Sequence, residues 1–432
     1  MKSNNTIEQL ADAIGKDKSI DEFQLYESNS TSLKAGFSNH NLGGIYQPIQ
    51  SHTQSRLSYM VTTKDGKQSQ GSLNPNTIID LDDVIKKIKN SSFKPSSKTV
   101  LTPKVESFKA TKLGSRKLEN IIRSSPDEIV EYAKSLFKDQ KTLGLKSIES
   151  QIRMRMRNQR FVSSSGNDLE SSDTIHDYYI DYNSEISASN ESRDYIPTSK
   201  FSKSHKMAEL ANNLRQKPIN LADGTFPVLF DPHYGFSILD KYILENINGT
   251  VVDSKISRFS LDNFTSQKQI ARSNINIEID QTIPMSTDSF NFSTEGIVGQ
   301  RFKVIDNGKL TTPICDLQLA TKFGQRPLVV PSLGSAKYDS LDFSEFTRKN
   351  TKFILVLSVL GIHTQNAITG DYSLPCPSAL YFENSKLVGP VNCVLTGDFF
   401  KKLNEDSFGF VSHPAFSKPL LSFESATFIK EY

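Results

Sequence analysis

The sequence predicts an α+β protein in two parts, an N-terminal α/β domain over 1–200 and a C-terminal domain over 201–432 dominated by a large curved, mostly antiparallel sheet. Three observations lead there. At roughly 150 residues per domain, a 432-residue chain has room for two or three. In the first part, strand-like runs around an Asp-Gly turn precede segments of helical period. From Val251 onward, Asn307-Gly308, Gly324, Gly334, Thr369-Gly370-Asp371, Asn384 and Thr396-Gly397-Asp398 separate short alternating or apolar runs, the punctuation of an antiparallel sheet.

Taken in order, Phe23–Glu27, Leu33–Phe37 and Arg56–Thr62 read as strands, and Lys64-Asp65-Gly66-Lys67 as a hairpin turn. Apolar residues at helical spacing (Ile78, Ile79, Leu81, Val84, Ile85, Ile88) then predict an amphipathic helix over those strands. Residues 86–123 carry 11 basic residues against Glu106 and Glu119 in a Ser/Lys/Pro-rich context, which reads as a solvated linker rather than a nucleic-acid patch because aromatic stacking partners are sparse. Ser125-Pro126-Asp127-Glu128 has the form of a capping box, so a helix is expected over about 126–138 with Ile129, Tyr132, Ala133, Leu136 and Phe137 inward. In Arg153-Met154-Arg155-Met156-Arg157 a period of two puts the arginines on one face of a strand. Asp177, Tyr179 and Asp181, in the segment running to Asn183, share one face of the next strand, so arginines and aspartates are expected to pair across a hairpin; binding of phosphate or an acidic peptide by the arginine row is the alternative. Lys203–Gln216 is helical with Met207, Leu210, Ala211 and Leu214 on one stripe; Phe226–Phe230 is a buried strand, Asp231-Pro232 a break, and His233–Asn246 helical again.

Composition narrows the function. With 51 Lys+Arg against 48 Asp+Glu the formal charge is only +3, and the basic stretch is offset by 8 acidic residues over 168–194, so a dedicated DNA surface is disfavoured. The longest apolar run, Phe353–Ile362, falls short of the ~18 residues that a spanning helix requires. A polar Met1–Gln24 and an odd count of cysteines (Cys315, Cys376, Cys393) predict a cytoplasmic protein with free thiols.

Nucleotide loops, G-x-S-x-G and C-x-x-C pairs are absent. No two of the seven histidines (40, 52, 176, 205, 233, 363, 413) lie three to five residues apart, so no helical turn presents two to a metal. A site gathered from distant ligands would draw on His233, His363, His413 and Cys376. Cys376, held between Pro375 and Pro377, reads as a loop or strand-end residue, with an inert thiol favoured over an exposed nucleophile because no local base is present. Cys315 and Cys393 lie in apolar runs and read as core.

The second half resembles a known family. Thr294-Glu295-Gly296-Ile297-Val298-Gly299-Gln300-Arg301, Val304-Ile305-Asp306-Asn307-Gly308, Asp316–Gly324, Ile368-Thr369-Gly370-Asp371-Tyr372-Ser373, Tyr381-Phe382-Glu383-Asn384 and Val394–Leu403 follow the TldD/PmbA pattern, with the TGDYS segment similar to its PmbA branch, also called TldE. The likeness extends upstream through Phe161–Gly166 and Gly224–Pro232, and more weakly into the first hundred residues, so that it covers nearly the whole chain. Members are described as modulators of DNA gyrase, and the family is similar to zinc peptidases in which a TldD subunit pairs with a TldE subunit. The active branch carries H-E-x-x-x-H on the helix after the strand matched here by Phe226–Phe230. That motif falls on Asp231, Pro232 and Phe236, so neither metal ligands nor a water-activating carboxylate stand there, and His233 lies beside the motif. Pro375–Ala379 replaces a small, glycine-containing stretch, and Asn384-Ser385-Lys386 lacks the usual glycine.

The resemblance therefore implies a subunit with no cofactor of its own and zinc in a TldD-like partner. It also implies dimerisation: a homodimer when isolated, a heteromer in the cell. Unfolded or extended peptide is the expected substrate, with His363, Asn366, Thr369, Gly370, Asp371 and Cys376 as candidate lining of a peptide groove. Two alternatives stand beside it: a stand-alone hydrolase with a rearranged zinc or Cys376 site, and a DNA- or gyrase-binding modulator.

Overall fold

The computed structural model describes residues 6–38, 44–78, 80–95, 100–143, 148–182 and 186–429. Ile79 of the amphipathic run, His40, residues 96–99 of the basic stretch and Asn183 lie outside the described residues.

Helix α1 (Thr6–Lys16) leads into β1 (Ile20–Ser38), β2 (Gly44–Thr63) and β3 (Gln68–Leu73). The two short strands expected near the start are one 19-residue strand, β1. Its polar middle, Ser28–Ser32, pairs with β2 on one side and with a later strand on the other, so backbone bonding carries it through a stretch with no apolar signal. The Asp-Gly turn forms as expected, with Thr63 N–H donating to Lys67 O (2.8 Å) and Gly66 at φ +78°. Helix α2 (Leu81–Asn90), capped by Asp80, buries Val84, Ile85 and Ile88 against α1 and this end of the sheet.

The basic stretch is more than a linker. Leu113 is buried beside Asp173, and α3 (Arg116–Ser124) buries Leu118, Ile121 and Ile122. Helix α4 (Glu128–Lys141) buries the expected Ile129, Tyr132, Ala133 and Leu136, but its first turn closes through the backbone and the capping box does not form. Strands β4 (Glu149–Ser163) and β5 (Asp168–Asp181) make the expected hairpin: Arg153 Nε meets Asp177 and Arg157 Nε meets Asp173, each at 2.8 Å. With β6 (Ser187–Ser192) at the edge, the sheet order is β3-β2-β1-β4-β5-β6.

The second part begins with α5 (Ser202–Leu214) and β7 (Gly224–Phe230), from whose end rises α6 (Pro232–Leu239), continued by a π turn (Asp240–Leu244) and Glu245–Ile247. A small sheet holds β8 (Ile277–Asp280), β9 (Arg301–Asp306), β10 (Lys309–Leu310) and β11 (Ala336–Lys337). The larger one holds β12 (Leu341–Asp342), β13 (Lys352–Ser358), β14 (Asp371–Glu383), β15 (Lys386–Asp398), β16 (Gly409–Ser412) and β17 (Leu420–Ile429). Its curvature goes as far as closure: β7 is parallel to β13 and antiparallel to β17, completing the ring β7-β13-β14-β15-β17. Short helices such as Gly249–Asp253, Leu317–Phe323 and Phe343–Lys349 interrupt a region whose turn residues point to a strand-dominated pattern.

Alternation along β7 and β13 feeds two cores. Val228, Phe230, Ile354 and Val356 pack with α6; Leu229, Phe353 and Leu355 pack with Leu33, Phe37 and Leu136 of the first part. The two parts therefore share a core. Arg193 pins the same seam, bonding Asp173 (3.0 Å) and the carbonyls of Ser286, Thr287 and Ser289.

Candidate functional site

Strand β7 ends where Asp231 N–H makes its last bond to Val356 O (2.9 Å). Pro232, which has no N–H to leave unpaired, then opens α6, and Asp231 Oδ1 accepts the His233 N–H at 2.8 Å as the N-cap. Gly235 lets the helix lie close to β17, since a Cβ there would come 2.9 Å from the Leu421 Cβ. Phe236 is buried and stacks on Tyr338 at 5.6 Å between ring centres. Past it, Asp240 is held by the Ser332 hydroxyl and the Leu333 N–H, each at 2.6 Å.

Beside this junction, between the two parts, lies a cavity of about 520 Å³. Edge strand β6, Tyr178 and Tyr179 form one side; Asp231 to Tyr234, Ala415 and Phe416 form the other, with Ser204 and Met207 of α5 between. Burial pushes the Asp231 carboxyl up to about 7, the His233 N–H being the bond that opposes it. His233 and Tyr234 also border a more open pocket of about 460 Å³, reached by Lys241, Glu245, Ile362 and His363.

The three positions matching the zinc motif are thus a helix cap (Asp231), a helix-starting proline (Pro232) and a core ring (Phe236), and these do not fit a metal ion. Nor does the structure gather the distant set. His233 and His363 share the open pocket, but His413 packs between Phe343 and Phe416, its Nδ1 accepting the Ala415 N–H, and burial pushes it down to about 4. Cys376 is not in a loop. It lies inside β14, opposite Cys393, with its buried sulfur donating to Leu374 O; burial raises the thiol well above its ordinary range. The neighbouring Pro377 is accommodated where the β14–β15 register slips between Cys376 and Ala379. Cys376 is therefore neither groove lining nor a poised nucleophile. Among the described residues no group of three or more His, Cys, Asp or Glu side chains is placed to hold a metal ion.

Of the remaining groove candidates, His363 and Asp371 are exposed. Asn366 and Thr369 build the turn: Asn366 Oδ1 accepts the N–H groups of Ile368 (2.9 Å) and Thr369 (3.3 Å), and the Thr369 hydroxyl accepts the Asp371 N–H (3.4 Å). Gly370 sits at φ +85°, and a Cβ would fall 2.4 Å from the Phe400 ring. The cavity walls from β5, β6, α5 and Phe416 carried no sequence signal beyond ordinary core alternation. A larger trough of about 1340 Å³ runs over the N-terminal sheet, where Lys112, Arg116 and Arg160 face Glu27, Glu119 and Glu170, so its charge is balanced.

A closed C-terminal sheet, a helix rising from one of its strands and a cleft against a six-stranded N-terminal sheet define a two-part α+β class that solved structures share. A proposed modulator of DNA gyrase from Bacteroides thetaiotaomicron superposes with a TM-score of 0.77 at 20% identity, covering 100% of both chains. TldE from Thermococcus kodakarensis gives 0.77 at 14% identity over 99% of this chain and 100% of its own. A proposed modulator of a DNA gyrase from Thermotoga maritima gives 0.73 at 17% over 98% and 99%. At such identities the likeness establishes the fold. In sequence, residues 223–407 match the family model of the PmbA/TldA metallopeptidase C-terminal domain, which relates that part of the chain to the TldD/PmbA family. An uncharacterized protein of Methanocaldococcus jannaschii is 26% identical over 146 residues, 32% of this chain; the match spans only 35% of that relative's length.

Proposed function

We propose that this chain is the TldE/PmbA-like subunit of a TldD-type zinc peptidase assembly that processes or degrades unfolded peptide, contributing a substrate-facing wall and no metal of its own. The observation that carries this reading is the strand-to-helix junction: its geometry is intact, while Asp231, Pro232 and Phe236 occupy the motif positions in roles of capping and packing. Zinc then resides in a TldD-like partner. Edge strand β6 beside the cavity offers a place where an extended segment can add as a further strand, giving backbone affinity without sequence preference. No described helix is long and apolar enough to cross a membrane.

Elemental analysis tests the reading first. After expression with zinc available, the purified chain alone should hold far less than one zinc and leave an unfolded peptide uncut. With a TldD-like chain it should co-purify as a heteromer whose cleavage is chelator-sensitive. Stoichiometric zinc in the isolated chain, or chelator-sensitive cleavage by it alone, would overturn the assignment. Light scattering on the isolated chain should report a dimer.

A further inference from the structure

The roughly 520 Å³ cavity is distinctive in its charge: among the described residues that line it Asp231 is the sole acid, and there is no lysine or arginine. Its carboxylate accepts one backbone N–H, from His233, and forms no ion pair among the described residues. An anionic oxygen left on the wall of a cavity is costly unless something positive arrives. The rest of the wall favours one kind of cation. Tyr178, Tyr179, Tyr234 and Phe416 present ring surface, which attracts an ammonium group through the ring quadrupole and shields it from water. Ser187 and Ser189, on edge strand β6, lie across from Asp231, where an extended chain would run.

We propose that this cavity binds an alkylammonium group, the amino terminus or a lysine side chain of a bound peptide, paired with the Asp231 carboxylate and enclosed by the tyrosine and phenylalanine rings. At the position where relatives with the motif would place a metal, this chain instead places a receptor for a cationic end of the peptide. That the ligand is a peptide rests on the proposed function; that the cavity takes an ammonium does not.

The test uses the full chain at pH 8, above the value of about 7 to which burial pushes Asp231. Asp231→Asn is the informative variant, because asparagine caps a helix as well as aspartate and the fold is kept. n-Butylammonium chloride should raise the thermal midpoint of the native chain relative to equal sodium chloride and leave Asp231→Asn unmoved. An equal response of the two proteins overturns the site. Calorimetry with three versions of one short peptide then identifies the source of the amine. These are a free amino terminus without lysine, an acetylated terminus with one lysine, and an acetylated terminus without lysine. The favoured amine should bind about tenfold tighter than the fully blocked peptide, the order of one charge-assisted hydrogen bond, and Asp231→Asn should abolish the difference. Equal binding of all three to the native chain overturns the peptide-amine assignment. A butylammonium response that depends on Asp231, without binding of any peptide, keeps the site and counts against the peptidase-subunit reading.

Discussion

Acidification should destabilise this chain through one side chain in particular, His176. It is fully buried on β5, its Nδ1 accepts the Ile196 N–H at 3.0 Å, and the Tyr132 and Tyr195 rings lie 4.5 and 5.3 Å away. Accepting at Nδ1 places the proton of the neutral ring on Nε2, which has no partner among the described residues. Burial, helped by the nearby Lys117 charge, pushes its pKa from 6.5 down to about 3. The folded state therefore keeps the ring neutral, while the unfolded chain takes a proton below 6.5. Stability is complete above that value and declines through the window down to about 3, at about 1.4 kcal/mol per pH unit. Going from pH 7.5 to 5 crosses about 1.5 units of the window, so the loss is about 2 kcal/mol. Urea unfolding of the native chain and of His176→Gln at both pH values isolates it. Glutamine can still accept the Ile196 N–H but cannot titrate, and the contributions of His413 and the carboxylates cancel between the two proteins. The native chain should lose about 2 kcal/mol more than the variant between the two pH values. Equal losses would refute the claim that a neutral imidazole is trapped there.

Other perturbations follow from the same packing. Gly370→Ala should cost about 1–3 kcal/mol in urea unfolding because φ is +85° and Phe400 blocks the new methyl; Gly15→Ala, in α1 with nothing within 4 Å, should be neutral or stabilising. Arg193→Met should cost about 3–5 kcal/mol in urea unfolding, because it removes one of the two close partners of buried Asp173, Arg157 being the other, together with the donors to the carbonyls of Ser286, Thr287 and Ser289. The three buried cysteines should react with a thiol reagent only as fast as the chain unfolds, and Cys376→Ala should leave peptide binding unchanged. Rapid labelling of Cys376 in the native chain would contradict its place in the core.

Much of the fold is written locally. The arginine–aspartate hairpin was legible because both partners alternate on adjacent strands, and the buried face of α4 because one helix carries the whole stripe. What was not legible depends on distant pairing. Ser28–Ser32 has no apolar period, yet its strand continues because β2 and β4 bond it from both sides. Closure of the large sheet requires β7 to meet β17, nearly the length of the C-terminal part away. Two prolines made Cys376 look like a loop or strand-end residue, whereas a register slip absorbs Pro377 and leaves the sulfur inside. The junction at Asp231 was visible as a departure from a motif; the cavity beside it was not, because its walls come from β5, β6, α5 and the turn at Phe416.

The substitutions at that junction are coupled to the surrounding structure, which bears on how readily a zinc site could be restored. Pro232 spares the helix an unpaired N–H at its first position, and Asp231 caps the next donor, so exchanging either for a ligand removes part of the helix start. Phe236 is committed differently: its ring lies on Tyr338, which in turn packs on Phe410 of β16 at 4.0 Å between centres. An imidazole there would lose that stacking and bury two ring nitrogens in an apolar core, where any polar group without a partner is costly. Neither Cys376 nor Cys393 is available to complete a ligand set, since both sulfurs are held in the core by the β14–β15 pairing. The cap, the buried ring and the inward thiols thus oppose metal binding by separate means, and reversing one leaves the others in place. What the junction keeps is the cleft, the sheet edge and a carboxylate without an ion pair among the described residues, the groups on which the proposed peptide binding rests.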